Sequence, residues 1–125
     1  MSLPAELPSS LYSVIGGITF QSSGNMPAPC KIEVIGTCVN PKVINHTTGT
    51  FYKVDTTTSD FILDNRSSTI EVLDGTVDIS AYRASGSQPL FILPSENTFV
   101  VEVDNFSIDS TVTVEFTYRD TYIAS

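Results

Sequence analysis

Thr111-Val112-Thr113-Val114-Glu115-Phe116-Thr117-Tyr118-Arg119 is the stretch that decides the fold class. Val112, Val114, Phe116 and Tyr118 alternate with Thr111, Thr113, Glu115, Thr117 and Arg119. A strand sends successive side chains to opposite faces, so this period of two collects the apolar groups on one face. A helix would scatter them around its circumference. A long strand is therefore expected over about 110–122. Residues 97–103 repeat the pattern, with Phe99, Val101 and Val103 facing one way and Thr98 and Glu102 the other. Val100 breaks it, and is expected on the outer face, where it can touch a neighbouring chain or domain. The short polar link 104–109 predicts a hairpin-type connection between the two strands.

Working outward, Ile32 and Val34 alternate with Lys31 and Glu33, and Gly36 is expected to end or bulge that strand. Val39, Val43 and Ile44 surround Asn40-Pro41; proline has no N–H for a ladder and is placed at an edge or bend. Short strands are predicted at 51–55 and 61–64, separated by the polar stretch 56–59. Ile70 and Val72 point inward from a strand at 69–73, and Asp74-Gly75 is a hairpin-turn signal before a strand at 77–82. Residues 84–88 read as a small polar loop and 90–93 as a continuous apolar strand closed by Pro94. Residues 11–20 read as one strand with a bulge at Gly16-Gly17. Nine or ten short strands with regular turn signals and no substantial helix predict an all-β, antiparallel two-sheet β-sandwich or jelly roll.

Composition agrees. Thr, Val and Ile number 38 against five Ala in 125 residues, and β-branched side chains suit a pleated surface better than a helix. Hydrophobic residues at 41% and charged residues at 16% can support a core. One domain over 10–123 is expected, with 1–9 as a flexible lead in which Met1-Ser2-Leu3 is a cloning remnant. That lead has neither the basic nor the apolar region of a secretory signal. A net charge of −8 would repel a phosphate backbone or an anionic membrane surface.

No residue set converges on chemistry. The lone histidine, His46, falls in a predicted turn, and no GxSxG elbow exists. Glu33, Glu71, Glu102 and Glu115 sit at outward strand positions, as solvated carboxylates do. Asp55, Asp60 and Asp64 flank one loop and Asp74 and Asp78 a turn; oxygen-rich loops suit calcium, but no EF-hand spacing is present. Cys30 and Cys38 lack metal-ligand spacing and read as buried small hydrophobes, pairing only if adjacent strands bring them together. Tyr12, Tyr52, Tyr82, Tyr118 and Tyr122 could include a sugar-stacking platform. Sequons at Asn45, Asn65 and Asn105 are expected by chance in so Ser/Thr-rich a chain. No catalytic, cofactor-binding or metal residue is assigned, and no enzyme activity or cofactor is expected.

The order of segments resembles the C-terminal domain of the distal tail (Dit) family of siphophage tail components. The resemblance rests on Gly24-Asn25-Met26-Pro27 leading into Lys31-Ile32-Glu33-Val34-Ile35-Gly36, then Asn40-Pro41-Lys42-Val43-Ile44-Asn45. It continues through Phe61-Ile62-Leu63-Asp64 with Thr69-Ile70-Glu71-Val72, Leu90-Phe91-Ile92-Leu93-Pro94-Ser95-Glu96-Asn97, and Val112-Thr113-Val114-Glu115-Phe116-Thr117-Tyr118-Arg119. It spans about 12–122, with one departure: Ser95-Glu96 stands where the family usually has Gly, which can change the turn type. The resemblance implies a galectin-like sandwich in a longer tail-tip protein, hexameric only with an N-terminal ring-forming domain. It further implies assembly in the bacterial host cytoplasm, partners among tail, baseplate or receptor-binding proteins, and no catalytic residues. Candidate contact loops are 56–60 and 84–88. The other expected function is binding of host-wall carbohydrate in an exposed groove lined by Tyr.

Overall fold

Alternation builds two layers from this chain, and bends at a few turns carry it between them. The structure is a computed structural model and describes residues 6–12, 17–67, 69–104 and 113–118. Its strands are β1 (Glu6–Tyr12), β2 (Gly17–Ser22), β3 (Cys30–Val39), β4 (Lys42–Asn45), β5 (Thr50–Lys53), β6 (Thr57–Asp64), β7 (Glu71–Asp74), β8 (Val77–Asp78), β9 (Ser95–Glu102) and β10 (Thr113–Tyr118). One sheet runs β1-β10-β3-β6-β7-β8 and the other β2-β9-β4-β5. Every neighbouring pair is antiparallel. The protein is an all-β, two-sheet sandwich, as its alternation predicts.

The inner faces meet in one core. Ile32, Val34, Phe61, Leu63, Val72, Val114, Phe116 and Tyr118 come from the six-stranded sheet; Ile18, Val43, Tyr52, Phe99 and Val101 come from the four-stranded one. Phe20, Phe99, Phe116 and Tyr118 form a ring cluster across the layers, with Phe99 and Phe116 centroids 4.9 Å apart. Tilted contacts of this kind add to area burial by aligning ring edge with ring face. Cys30 and Cys38 are both buried and free on β3. Eight positions along one strand separate them by roughly 26 Å, so they cannot pair. Burial pushes the Cys30 thiol up to about 12 and Cys38 to about 11, which keeps both protonated at neutral pH.

Several expectations are corrected. β9 and β10 lie in opposite sheets, so no hairpin joins them: β9 pairs with β2 and β4, β10 with β1 and β3. Residues 11–20 hold parts of two strands in different sheets rather than one bulged strand. β1 begins at Glu6, inside the stretch read as a flexible lead. The supposed loop 56–60 is largely strand: Thr57, Thr58 and Asp60 pair with Val39, Cys38 and Ile35. Its threonines are β-branched and strand-compatible, and only their polarity disguised it. The expected strand 77–82 stops at Asp78, whose Oδ1 accepts the Ser80 N–H at 2.9 Å and starts a single 3-10 turn, Ser80–Tyr82. Val77 is 62% exposed.

Other signals hold. The β3–β6 register shifts between Ile35 and Cys38, at Gly36, which has φ 131°. Asn40-Pro41 is the bend that takes the chain from the six-stranded to the four-stranded sheet. Gly75 (φ 62°) makes the β7–β8 turn. Ser95 has φ 66° and so takes a conformation ordinarily left to Gly. The expected sequon Asn105 and the strand-end residues Thr111, Val112, Arg119 and Tyr122 lie outside the described residues.

Candidate functional site

Residues 90–93 belong to neither sheet. An extended segment outside a ladder must still satisfy its backbone polar groups. Three asparagines do this. Asn65 Nδ2 donates to the Leu90 carbonyl at 2.8 Å, and Asn45 Nδ2 to the Phe91 carbonyl at 3.2 Å. Asn97 accepts the Leu93 N–H at 2.6 Å and donates to the Leu93 carbonyl at 2.8 Å. Ile92 exchanges two backbone hydrogen bonds with Ala28, at 2.8 and 2.9 Å. The side chains of Leu90 and Ile92 are buried while Phe91 is 40% exposed. The expected apolar strand is thus a pinned end wall that offers one aromatic ring outward.

That ring lines a groove of about 230 Å³ at one end of the sandwich. Pro27, Thr48, Thr50, Gln88, Pro89 and Leu93 share the lining, with Asn45 at its base. Thr48 and Thr50 sit on the β4–β5 turn with their hydroxyls 2.6 Å apart. Asn45 fixes that turn by accepting the Thr47 and Thr48 N–H groups. The opposite wall follows loop 84–88, which is tied to β5: Ser87 Oγ accepts the Lys53 N–H at 3.0 Å, and the Gln88 N–H reaches the Phe51 carbonyl at 2.8 Å. All the described residues that line the groove are uncharged. No Tyr is among the described lining residues; Tyr52 and Tyr118 are core residues and Tyr82 is 51% exposed elsewhere.

The second notable surface is the outer face of the six-stranded sheet. Glu33 lies directly across from Glu115, and Asp64 lies between Lys31 and Glu71. Among the described residues, one carboxylate oxygen of Asp60, the buried Oδ1, has no hydrogen-bond partner. Two ionised carboxylates cannot hydrogen-bond each other. Sharing a proton with Asp60 is accordingly the largest cause that lifts Glu33 to about 7; burial and the Asp60 and Glu115 charges add to it, and Lys31 opposes it. Asp64 is held below the usual carboxylate range by Arg66, which contacts it at 2.9 Å.

The remaining sequence candidates are engaged locally. His46 is exposed on the β4–β5 turn. Asp55 faces Lys53 at 3.6 Å, and Asp74 Oδ1 accepts the Ser59 and Asp60 N–H groups. Among the described residues, no group of three or more His, Cys, Asp or Glu is placed to hold a metal ion. Sequon residues Asn45 and Asn65 serve as the backbone clamps described above. Sequence reading missed the Asn clamps and the exposure of Phe91. Their only local signal is an apolar run bracketed by Pro89 and Pro94, which equally suits a buried strand. Compared with known proteins, the chain matches no family model, no curated protein and no solved structure.

Proposed function

We propose that this domain is a non-catalytic structural module of a phage or prophage tail tip, docking to other tail or receptor-binding proteins. The observation that carries the reading lies on the outer face of the four-stranded sheet. There Val100, Ile44 and Phe51 occupy one cross-strand row, all half-buried. Alternation against solvent would place polar groups in this row, as it does one step away, where Thr19 and Thr98 hydroxyls meet at 3.1 Å. Lys42 stacks on the Phe51 ring at 4.5 Å, which leaves Val100 and Ile44 as the open apolar part. An apolar core ringed by polar groups is the ordinary anatomy of a protein interface. The segment order that resembles the distal tail family supplies the kind of partner.

The test is immunogold labelling of tailed particles from the phage or lysogen that encodes the chain. Label at the tail tip is expected, together with loss of incorporation for Val100→Lys when the isolated variant still folds. Particles without label, or full incorporation of Val100→Lys, would count against the reading.

A further inference from the structure

We propose that the end groove is a binding site for a neutral saccharide, with the Phe91 ring as its stacking face. The inference is independent of the tail-tip reading, because it uses a different surface. At about 230 Å³ the groove falls below the ~300 Å³ at which drug-sized pockets begin, so it suits one or two small rings.

The chemistry of the lining selects the ligand. A free anion needs a cation or an array of N–H groups, and a cation needs a carboxylate; neither charge is among the described lining residues. A wholly apolar ligand would strip water from Thr48, Thr50 and Gln88 without returning a hydrogen bond. A sugar ring carries a C–H face that packs on an aromatic ring and hydroxyls that both donate and accept. Phe91 supplies the ring, the Thr50 hydroxyl and Gln88 amide supply groups that do both, and Pro27 and Pro89 wall the sides.

The site is also preorganised. Its aromatic ring is the only side chain of segment 90–93 that is exposed, and the backbone beneath it is held by the buried residues Asn45 and Asn97. Asn45 itself has its amide and carbonyl committed to Phe91, Thr47 and Thr48, so it shapes the groove rather than reaching for ligand. A rigid site loses little conformational entropy on binding.

The experiment is titration calorimetry of the intact chain with neutral mono- and disaccharides of glucose, galactose and N-acetylglucosamine, preceded by a glycan array. Saturable binding of at least one neutral sugar is expected. Phe91→Ala should weaken it about tenfold, the worth of one stacked ring, and Gln88→Ala severalfold, with unchanged thermal melting. Thr19→Ala, on the outer sheet face, should leave it unchanged. Absence of binding across the array, binding confined to charged glycans, affinity untouched by Phe91→Ala, or capture of proline-rich peptides in place of sugars would each overturn the proposal.

Discussion

The acidic outer sheet face and the end groove are both surfaces, yet they are built in opposite ways. The face is made of regular strand positions and crowds carboxylates in register, Glu33 across from Glu115 and Asp64 across from Glu71. Like charges placed directly opposite cost stability, and the upward shift of Glu33 to about 7 relieves part of that cost as pH falls below that value. The groove is made of connections. Its described lining is uncharged, and its shape depends on buried amide side chains that take the place of ladder hydrogen bonds. Regular backbone therefore yields a surface tuned by pH, whereas pinned irregular backbone yields one tuned by shape.

The strongest way to break the contrast is Asn97→Ala. It leaves both polar groups of Leu93 without their partner in a buried site, so unfolding in urea should show a loss of about 3 kcal/mol. A loss under about 1 kcal/mol would mean that the wall does not depend on its clamp.

Next comes the acidic face. A carboxyl whose folded pKa is raised to about 7 from 4.5 binds its proton more tightly when folded. Its contribution is complete below the unfolded value and is lost as pH rises from about 4.5 through about 7. With solvent screening the loss should be on the order of 1–2 kcal/mol. Melting curves across that range should slope downward for the native chain and flatten for Glu33→Gln. An unchanged slope in the variant would assign the effect to another group.

Ser95→Gly sharpens the groove side. Removing Cβ at φ 66° should stabilise the chain by about 1 kcal/mol, less the extra entropy that glycine gains on unfolding. Destabilisation in differential scanning calorimetry would show that the serine side chain contributes more than its strain. The smallest expected effect is Glu115→Gln. Relief of one cross-strand repulsion should add about 0.5 kcal/mol at pH 8 and shift the Glu33 titration downward by NMR. A Glu33 titration that does not move would remove Glu115 from the pair's surroundings.

Much of the fold was legible locally. The inward faces of Val114, Phe116 and Tyr118 and of Phe99 and Val101, the outward turn of Val100, the bulge at Gly36 and the turn at Gly75 all follow from side-chain period and glycine chemistry. Those signals belong to one strand or one turn, and the chain carries them before it folds. Which sheet receives each strand is a different matter. β9 and β10 follow one another and read alike, yet they lie in opposite layers, because their partners are β2 and β4 in one case and β1 and β3 in the other. The groove depends on still more distant pairings: Asn45 reaches Phe91, 46 positions on, and Asn65 reaches Leu90, 25 positions on. By itself the sequence determined that the chain makes strands and which face of each is apolar, since a two-residue period is a property of neighbouring residues. Only the tertiary structure decided that the apolar run 90–93 is a wall rather than a strand. Its backbone hydrogen bonds are completed by side chains and by an Ala28 bridge that no local pattern announces.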